Sequence, residues 1–69
     1  MKITKYFASS HKDHFHLNLA IEEAEKKRNT FLADNNNSIG EIEKEDIKFV
    51  ASQNNNYVHA IIILTYFPK

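Results

Sequence analysis

The sequence predicts one small α+β domain with the element order β-α-β-β, in which a single helix packs on a three-stranded, mostly antiparallel sheet. Three observations predict it. A segment rich in Ala, Leu, Glu and Lys lies between segments in which polar and apolar residues alternate. The asparagine runs 35–37 and 54–56 separate the later segments, as loops do. The 69 residues suffice for one hydrophobic core, so residues 1–69 are expected to form a single domain.

The first strand is predicted over residues 1–8, where alternation places Ile3 and Phe7 on one side. The helix is predicted from about residue 11 to residue 33. Ser10 and Asp13 have the spacing of a capping box, with aspartate in the place of the usual glutamate or glutamine. This motif would satisfy early amide groups of the helix and fix its start.

One side of the predicted helix is apolar when its residues are placed at 100° intervals, and this side should pack on the sheet. It holds Leu17, Ala20, Ile21, Ala24, Phe31 and Leu32, interrupted only by Arg28. Phe15 and Leu19 fall almost opposite this side, among charged residues. They are either two tolerated exposed apolar side chains or a contact with another subunit, and the sequence leaves both interpretations open.

The rest of the chain predicts a loop and a hairpin. Residues 34–40 are predicted to form a loop with a left-handed residue, since they include three asparagines and the only glycine. A second strand over residues 43–52 and a third over residues 57–67 follow, joined by a loop at 53–56. Pro68 is expected to end the third strand.

The third strand is apolar on both faces, although one helix can cover only one face of a sheet. The sequence therefore predicts self-association, as a dimer or a larger homo-oligomer in which a second copy covers the other face. The predicted interface residues are Phe15, Leu19, Val58, Ala60, Ile62, Leu64 and Tyr66.

Composition excludes several classes of function. The absence of cysteine excludes disulfides and thiolate chemistry, and a single glycine excludes a glycine-rich phosphate loop. The four serines lack a recognisable nucleophile context, so no enzymatic activity and no cofactor are expected. The longest apolar run, residues 60–64, is far too short to span a membrane, and no signal peptide is recognised. We expect a cytoplasmic protein with no membrane partner.

The histidines are the candidates for metal chemistry. His11 and His14 would lie about 60° apart around the predicted helix, so their imidazoles could share a metal ion. His16 would point elsewhere, about 160° from His14. The other interpretations are a solvated first helical turn and a pH-sensitive interface. His59 is expected to be an ordinary strand residue.

The sequence predicts against nucleic-acid binding. Residues 26–28 form the only basic cluster, and they follow glutamates that are placed for pairing along the helix. A sheet that exposed Tyr6, Phe7 and Phe49 could stack bases. Phosphate binding relies on unpaired cations, however, and the nine basic and nine acidic residues cancel.

Residues spread along most of the chain carry a family resemblance. An aromatic residue ends the predicted first strand, polar residues and a histidine precede the charged helix, and an Asp-Ile-Lys segment lies in the second strand. The residues concerned are Phe7, Ser9, Ser10, His11, Phe31, Leu32, Asp46, Ile47, Lys48, Tyr57, Ala60, Ile62 and Ile63. In these the chain resembles the small sporulation-associated proteins of Gram-positive spore formers. It departs from them in a longer helix, a longer asparagine-rich loop and serines in the place of acidic residues. The resemblance implies a link to sporulation and no particular biochemical activity.

The predicted element order and the chain length are also similar to those of dodecin, a flavin-storing assembly. Members of that family stack the isoalloxazine ring on a strand tryptophan. This chain has no tryptophan, and the residues beside Phe49 in the second strand do not match. The likeness implies a similar order of elements and no flavin site.

Together these observations predict a small homo-oligomeric protein-interaction module with a regulatory or sporulation-associated role, which binds itself and also another protein. One alternative is a small-ligand or metal-binding oligomeric assembly, with a site lined by Phe49, Tyr66 or the histidines. Another is a phage or mobile-element inhibitor of a host protein, which size and composition alone suggest.

Overall fold

Four elements form one small α+β domain in the computed structural model, which describes residues 1–12, 16–51 and 56–69. They are β1 (Ile3–Lys12), α1 (Leu17–Asp34), β2 (Ile39–Ala51) and β3 (Tyr57–Pro68). The predicted fold class and element order are confirmed, and the sheet is antiparallel throughout. Within the described ranges, no helix is both long enough and apolar enough to cross a membrane.

β3 is the middle strand of the sheet, whose order is β1-β3-β2. In the register of the two pairings, Ile62 lies between Phe7 of β1 and Ile47 of β2. A middle strand is flanked by side chains of both neighbours on both of its faces. This position accounts for much of the two-sided apolar pattern of β3 without a second subunit.

α1 packs mainly on β1 and β3 and covers one face of these strands. Ala20 and Ala24 are completely buried where the helix meets Val58, Ala60 and Ile62. Small side chains at this contact let the helix axis approach the sheet closely. The predicted apolar side of the helix is confirmed, because its larger members are partly buried around the two alanines: Leu17, Ile21, Phe31 and Leu32.

Aromatic rings extend this core towards the far end of the helix. The ring centroid of Phe31 lies 5.5 Å from that of Phe7 and 5.9 Å from that of Tyr66. The ammonium group of Lys5 lies 5.9 Å from the centroid of the same Phe31 ring. Tilted ring pairs of this kind add to the energy of simple burial.

The boundary between β1 and α1 differs from the sequence prediction. β1 continues to Lys12 and α1 begins at Leu17, whereas the helix was expected to begin at about residue 11. Ser10 pairs with His59 in the sheet, so it is not the helix N-cap, and the expected capping box is wrong. His16 takes that position without a side-chain capping hydrogen bond. The long β3 strand pairs with the end of β1 through backbone hydrogen bonds. This tertiary pairing overrides the local sequence preference for a helix.

The turn between α1 and β2 forms without the left-handed residue that was expected in residues 34–40. The backbone N–H of Asn35 donates to the carbonyl oxygen of Phe31 at 3.0 Å, and its side-chain amide donates to the same oxygen at 2.9 Å. The N–H of Ser38 donates to the Asn35 carbonyl oxygen at 2.8 Å. In the part of the chain that the structure describes, only Asn56 has a positive φ, of 59°.

β2 begins at Ile39, earlier than residue 43, where it was predicted to begin. Its register with β3 shifts twice, near residues 40 and 43, and is regular beyond them. Gly40 lies in this irregular part, where a Cβ atom would be 3.0 Å from the carbonyl oxygen of Phe67. Glycine therefore lets the start of β2 run close to the end of β3.

Candidate interaction surface

One face of the sheet is not covered by α1, and we call it the open face. Because Val58, Ala60 and Ile62 lie against the helix, the alternate residues of β3 and their register partners point the other way. Among these, Ile61 and Ile63 are partly covered by their neighbours, while Tyr6 and Val50 are 67% and 54% exposed. The open face includes Tyr6, Ala8, Ser10, Asp46, Lys48, Val50, His59, Ile61, Ile63 and Phe67.

β2 is exposed on both of its faces. Because α1 packs mainly on β1 and β3, it also leaves most of the helix side of β2 uncovered. On that side Ile47 is 41% exposed and Phe49 is 50% exposed. Every residue of β2 after Ile39 is exposed. Neighbouring exposed apolar side chains often mark contact surfaces, so β2 is the strongest candidate in the described residues.

The basic cluster of the helix binds the sheet. Arg28 interrupts the apolar side of α1, and its guanidinium forms an ion pair with the carboxylate of Glu45 in β2. Lys27 Nζ donates a hydrogen bond of 2.6 Å to the carbonyl oxygen of Ala8. Two of the three cations therefore have partners in the sheet. The sequence predicted instead that they pair with glutamates along the helix.

The five β3 residues predicted at a subunit interface are buried inside the chain. Val58, Ala60, Ile62, Leu64 and Tyr66 are at most 6% exposed and lie on the side of the sheet that α1 covers. A surface for another subunit is therefore left on the opposite side of the same strand. The alternation of the sequence identifies the two faces of β3, but it does not show which of them the helix covers.

The outer side of the helix was the other predicted interface. Leu19 is 37% exposed there, and Phe15 lies outside the described residues. The exposure of Leu19 fits both a tolerated apolar residue and a subunit contact. An interface on this side of the helix stays a prediction.

A polar cluster around Glu23 joins the end of β1 to α1. The hydroxyl of the buried Ser9 donates a hydrogen bond of 2.6 Å to Glu23 Oε2. His11 Nε2 lies 2.9 Å from Glu23 Oε1, although this contact is not well aligned as a hydrogen bond. The Ser9 hydroxyl, and next the His11 imidazole, lower the pKa of Glu23 below its ordinary value of 4.5. The sequence does not predict this cluster, because its members come from different elements and follow no local pattern.

The predicted metal ligands do not share a helix. His11 lies in β1, and His14 lies outside the described residues, so the helical spacing expected to bring them together does not apply. The His11 ring instead lies 6.5 Å from the His16 ring, centroid to centroid. Among the residues that the structure describes, no group of three or more potential ligands could hold a metal ion. A metal site at His11 and His14 stays a prediction.

Another polar contact lies at one end of the open face. Ser10 Oγ lies 2.5 Å from His59 Nδ1, and the Tyr57 ring stacks on the His59 ring with centroids 6.4 Å apart. These contacts fix the orientation of the imidazole. A nucleophilic site also requires a group that orients the base and donors for an oxyanion, so this contact alone supports no reaction.

The three aromatic residues considered for base stacking do not share a surface. Tyr6 lies on the open face, Phe7 packs against Phe31 on the helix side, and Phe49 lies at the outer strand on the helix side. A stacking platform for successive bases needs rings on one continuous surface. The separation of the rings therefore removes the structural reason for base stacking by these three residues.

The candidate interaction surface consists of β2 together with the open face beside it. Comparison of the chain with known protein families, curated proteins and solved structures gives no match. Any function proposed for this chain therefore rests on the geometry of this surface.

Proposed function

We propose that this chain is a small protein-interaction module that works as a homo-oligomer. The observation that carries the proposal is the exposure of β2, whose apolar side chains are uncovered on both sides of the sheet. Val50 is exposed on the open face, and Ile42, Ile47 and Phe49 are exposed elsewhere along the same strand. Burying such side chains against another molecule removes apolar surface from water, which is the main driving force for association.

The open face supports the same proposal. The strip of Ile61, Ile63 and Phe67 along β3 is only partly covered by its neighbours, and Tyr6 beside it is exposed. A small domain has little core of its own, so oligomerisation is a common way of adding buried apolar area. The Asp-Ile-Lys segment in the resemblance to sporulation-associated proteins also lies in β2, and a role in sporulation is part of the proposal.

The test is the solution mass of the chain, measured by light scattering over a wide range of protein concentration, with and without a chelator. An oligomer that the chelator does not affect supports the proposal. A monomer at every concentration refutes it. An oligomer that dissociates in chelator would favour the metal-binding assembly instead, because the metal would then be part of the contact.

Two matched variants locate the contact. Val50→Lys places a charge on an exposed site of the sheet, and Leu19→Glu does so on the outer side of the helix. Both sites are exposed, so both variants should fold and keep the circular dichroism spectrum of the wild type. We expect Val50→Lys to dissociate the oligomer and Leu19→Glu to leave it intact. The reverse result would place the contact on the helix.

A further inference from the structure

The outer edge of β2 is open for pairing with another strand. β2 is the last strand in the sheet order and has one neighbour, β3, so no strand among the described residues lies beside its second edge. It is 13 residues long, whereas edge strands are usually kept short or blocked to prevent pairing with other chains. β1 is the other edge strand, but it contains two lysines and no acidic residue, so two copies of it form no opposite-charge pair in any register.

The charges of β2 are complementary to those of a second copy in one antiparallel register. In a register centred on Ile47, Asp46 of each copy lies directly opposite Lys48 of the other, so two opposite-charge pairs form on the open face. Because residues directly opposite each other share a face of the sheet, the two apolar Ile47 side chains meet on the helix side. The pairing covers residues 44–50 of each copy, which lie within the regular part of β2.

The neighbouring registers bring like charges together. A centre at residue 45 pairs Lys44 with Asp46 twice, but it also places two Glu45 side chains opposite each other. A centre at Lys48 places two lysines opposite each other. A centre at Asp46 opposes two aspartates and also places Lys44 opposite Lys48 twice. Like charges directly opposite each other destabilise a strand pair, so the charge pattern selects the register centred on Ile47.

The side chains on the helix side also fit this register. Phe49 of each copy lies opposite Glu45 of the other and diagonal to Ile47, within reach of apolar contact. The Glu45 carboxylate is already held by Arg28 of its own helix, so it does not face the phenyl ring as an unpaired charge. A guanidinium beside an aromatic ring is itself a favourable arrangement.

We propose that two copies of this chain pair through β2 in the antiparallel register centred on Ile47. The result is a two-fold dimer with one continuous six-stranded sheet and both helices on the same side of it. This inference rests on the proposed function and specifies its partner, a second copy, and its contact. A single strand pair buries less area than a standard protein interface, so the dimer should dissociate on dilution.

Charge exchange tests the pairing. In Asp46→Lys the two attractive pairs become lysine pairs, and in Lys48→Asp they become aspartate pairs. Each variant alone should bind itself roughly tenfold or more weakly than the wild type, measured by sedimentation over a dilution series. An equimolar mixture of the two should restore the dimer, since every lysine then faces an aspartate. Both sites are exposed, and circular dichroism should confirm that each variant is folded.

A mixture of Asp46→Lys with Lys44→Asp is the matched control. It exchanges the same kinds of charge, but Lys44 lies opposite Val50 in the proposed register. Lys44→Asp should therefore still dimerise by itself, and the mixture should not draw Asp46→Lys into dimers. A mixed dimer of Asp46→Lys with Lys44→Asp would refute the register, as would failure of the first mixture to restore the dimer.

The same series separates the inference from the proposed function. A wild-type oligomer that both single variants leave unchanged would refute the strand pairing and leave the interaction module standing. The two-fold contact closes at two copies, so a wild-type species larger than a dimer that neither single variant reduces in size would also refute the pairing. A monomeric wild type would overturn both.

Discussion

Truncation of Ile62 tests whether the helix covers the side of β3 that the structure assigns to it. Ile62 is completely buried and lies between Phe7 and Ile47 in the register of the sheet. Ala20 and Ala24 face it from the helix, and alanine side chains cannot extend to fill a cavity. Ile62→Ala should therefore cost about 3–4 kcal/mol, which combines lost transfer free energy with the free energy of an unfilled cavity.

The size of this effect is large for a chain of this length. A domain of 69 residues is expected to have a free energy of unfolding of about 3–10 kcal/mol. With a urea dependence of about 1 kcal/mol per molar for a small domain, the unfolding midpoint of Ile62→Ala should fall by roughly 3 M. Urea unfolding followed by circular dichroism measures this shift directly, at a protein concentration low enough to keep the chain monomeric.

Ile63→Ala is the matched control because it makes the same chemical change at the next residue. Ile63 lies on the open face and is only partly buried, so its truncation should cost about 1 kcal/mol. Equal losses in the two variants, or a larger loss at Ile63, would refute the assignment of the faces of β3 and with it the location of the open face.

Three further substitutions, one of them with a matched control, test local features. Ser9→Ala should raise the pKa of Glu23 towards 4.5, because it removes the hydrogen bond that lowers this pKa most, and an NMR titration that showed no change would contradict this. Because the pKa of Glu23 is lowered in the folded state, its ionised carboxylate stabilises the fold above pH 4.5. This stabilisation disappears as the pH falls through the lowered pKa. The variant lacks most of it, so its stability should fall less on acidification than that of the wild type. Gly40→Ala should cost about 1 kcal/mol in thermal or urea unfolding, since its Cβ would lie 3.0 Å from a backbone oxygen of β3, and an unchanged stability would refute that crowding. Ala24→Leu should cost about 1–3 kcal/mol by overpacking the contact between helix and sheet, whereas Ala33→Leu at an exposed helical site should be nearly neutral.

The parts of the fold that the sequence predicts are those set by local periodicity. The spacing of Leu17, Ala20 and Ala24 identifies the side of α1 that packs on the sheet, because a helix repeats every 3.6 residues wherever it lies. The strand at residues 57–67 is equally clear, and the structure has it as β3 (Tyr57–Pro68). Both predictions need only the residues of the element itself.

The end of β1 could not be predicted because its stability comes from distant residues. Ser9 and His11 are polar, so they do not produce the apolar alternation that marks a strand. Both side chains point towards α1, where they contact Glu23. Ser9 and Glu23 are 14 residues apart in the chain, so no local pattern indicates this contact. A capping-box pattern in the same segment favoured a helix locally, and only the pairing with β3 decides against it.

The sequence predicted an apolar contact surface, but it did not predict that this surface lies on β2. Apolar residues on both faces of β3 indicated a second contact, yet the middle position of this strand accounts for much of that pattern. The many charged residues of β2 are typical of a solvated strand, so its sequence does not indicate a contact surface. Its exposure follows from the position of α1 over β1 and β3, which is a property of the assembled fold and not of the β2 sequence.

The strand order also has a consequence for the synthesis of this chain. β3 comes last among the four elements, yet both other strands pair with β3 and not with each other. A ribosome releases the N-terminal segments first, and β1 and β2 then have no partner until β3 has emerged. The nascent chain should therefore carry an unpaired β2 for roughly 1–3 s at usual elongation rates, and it should complete its sheet in one late step.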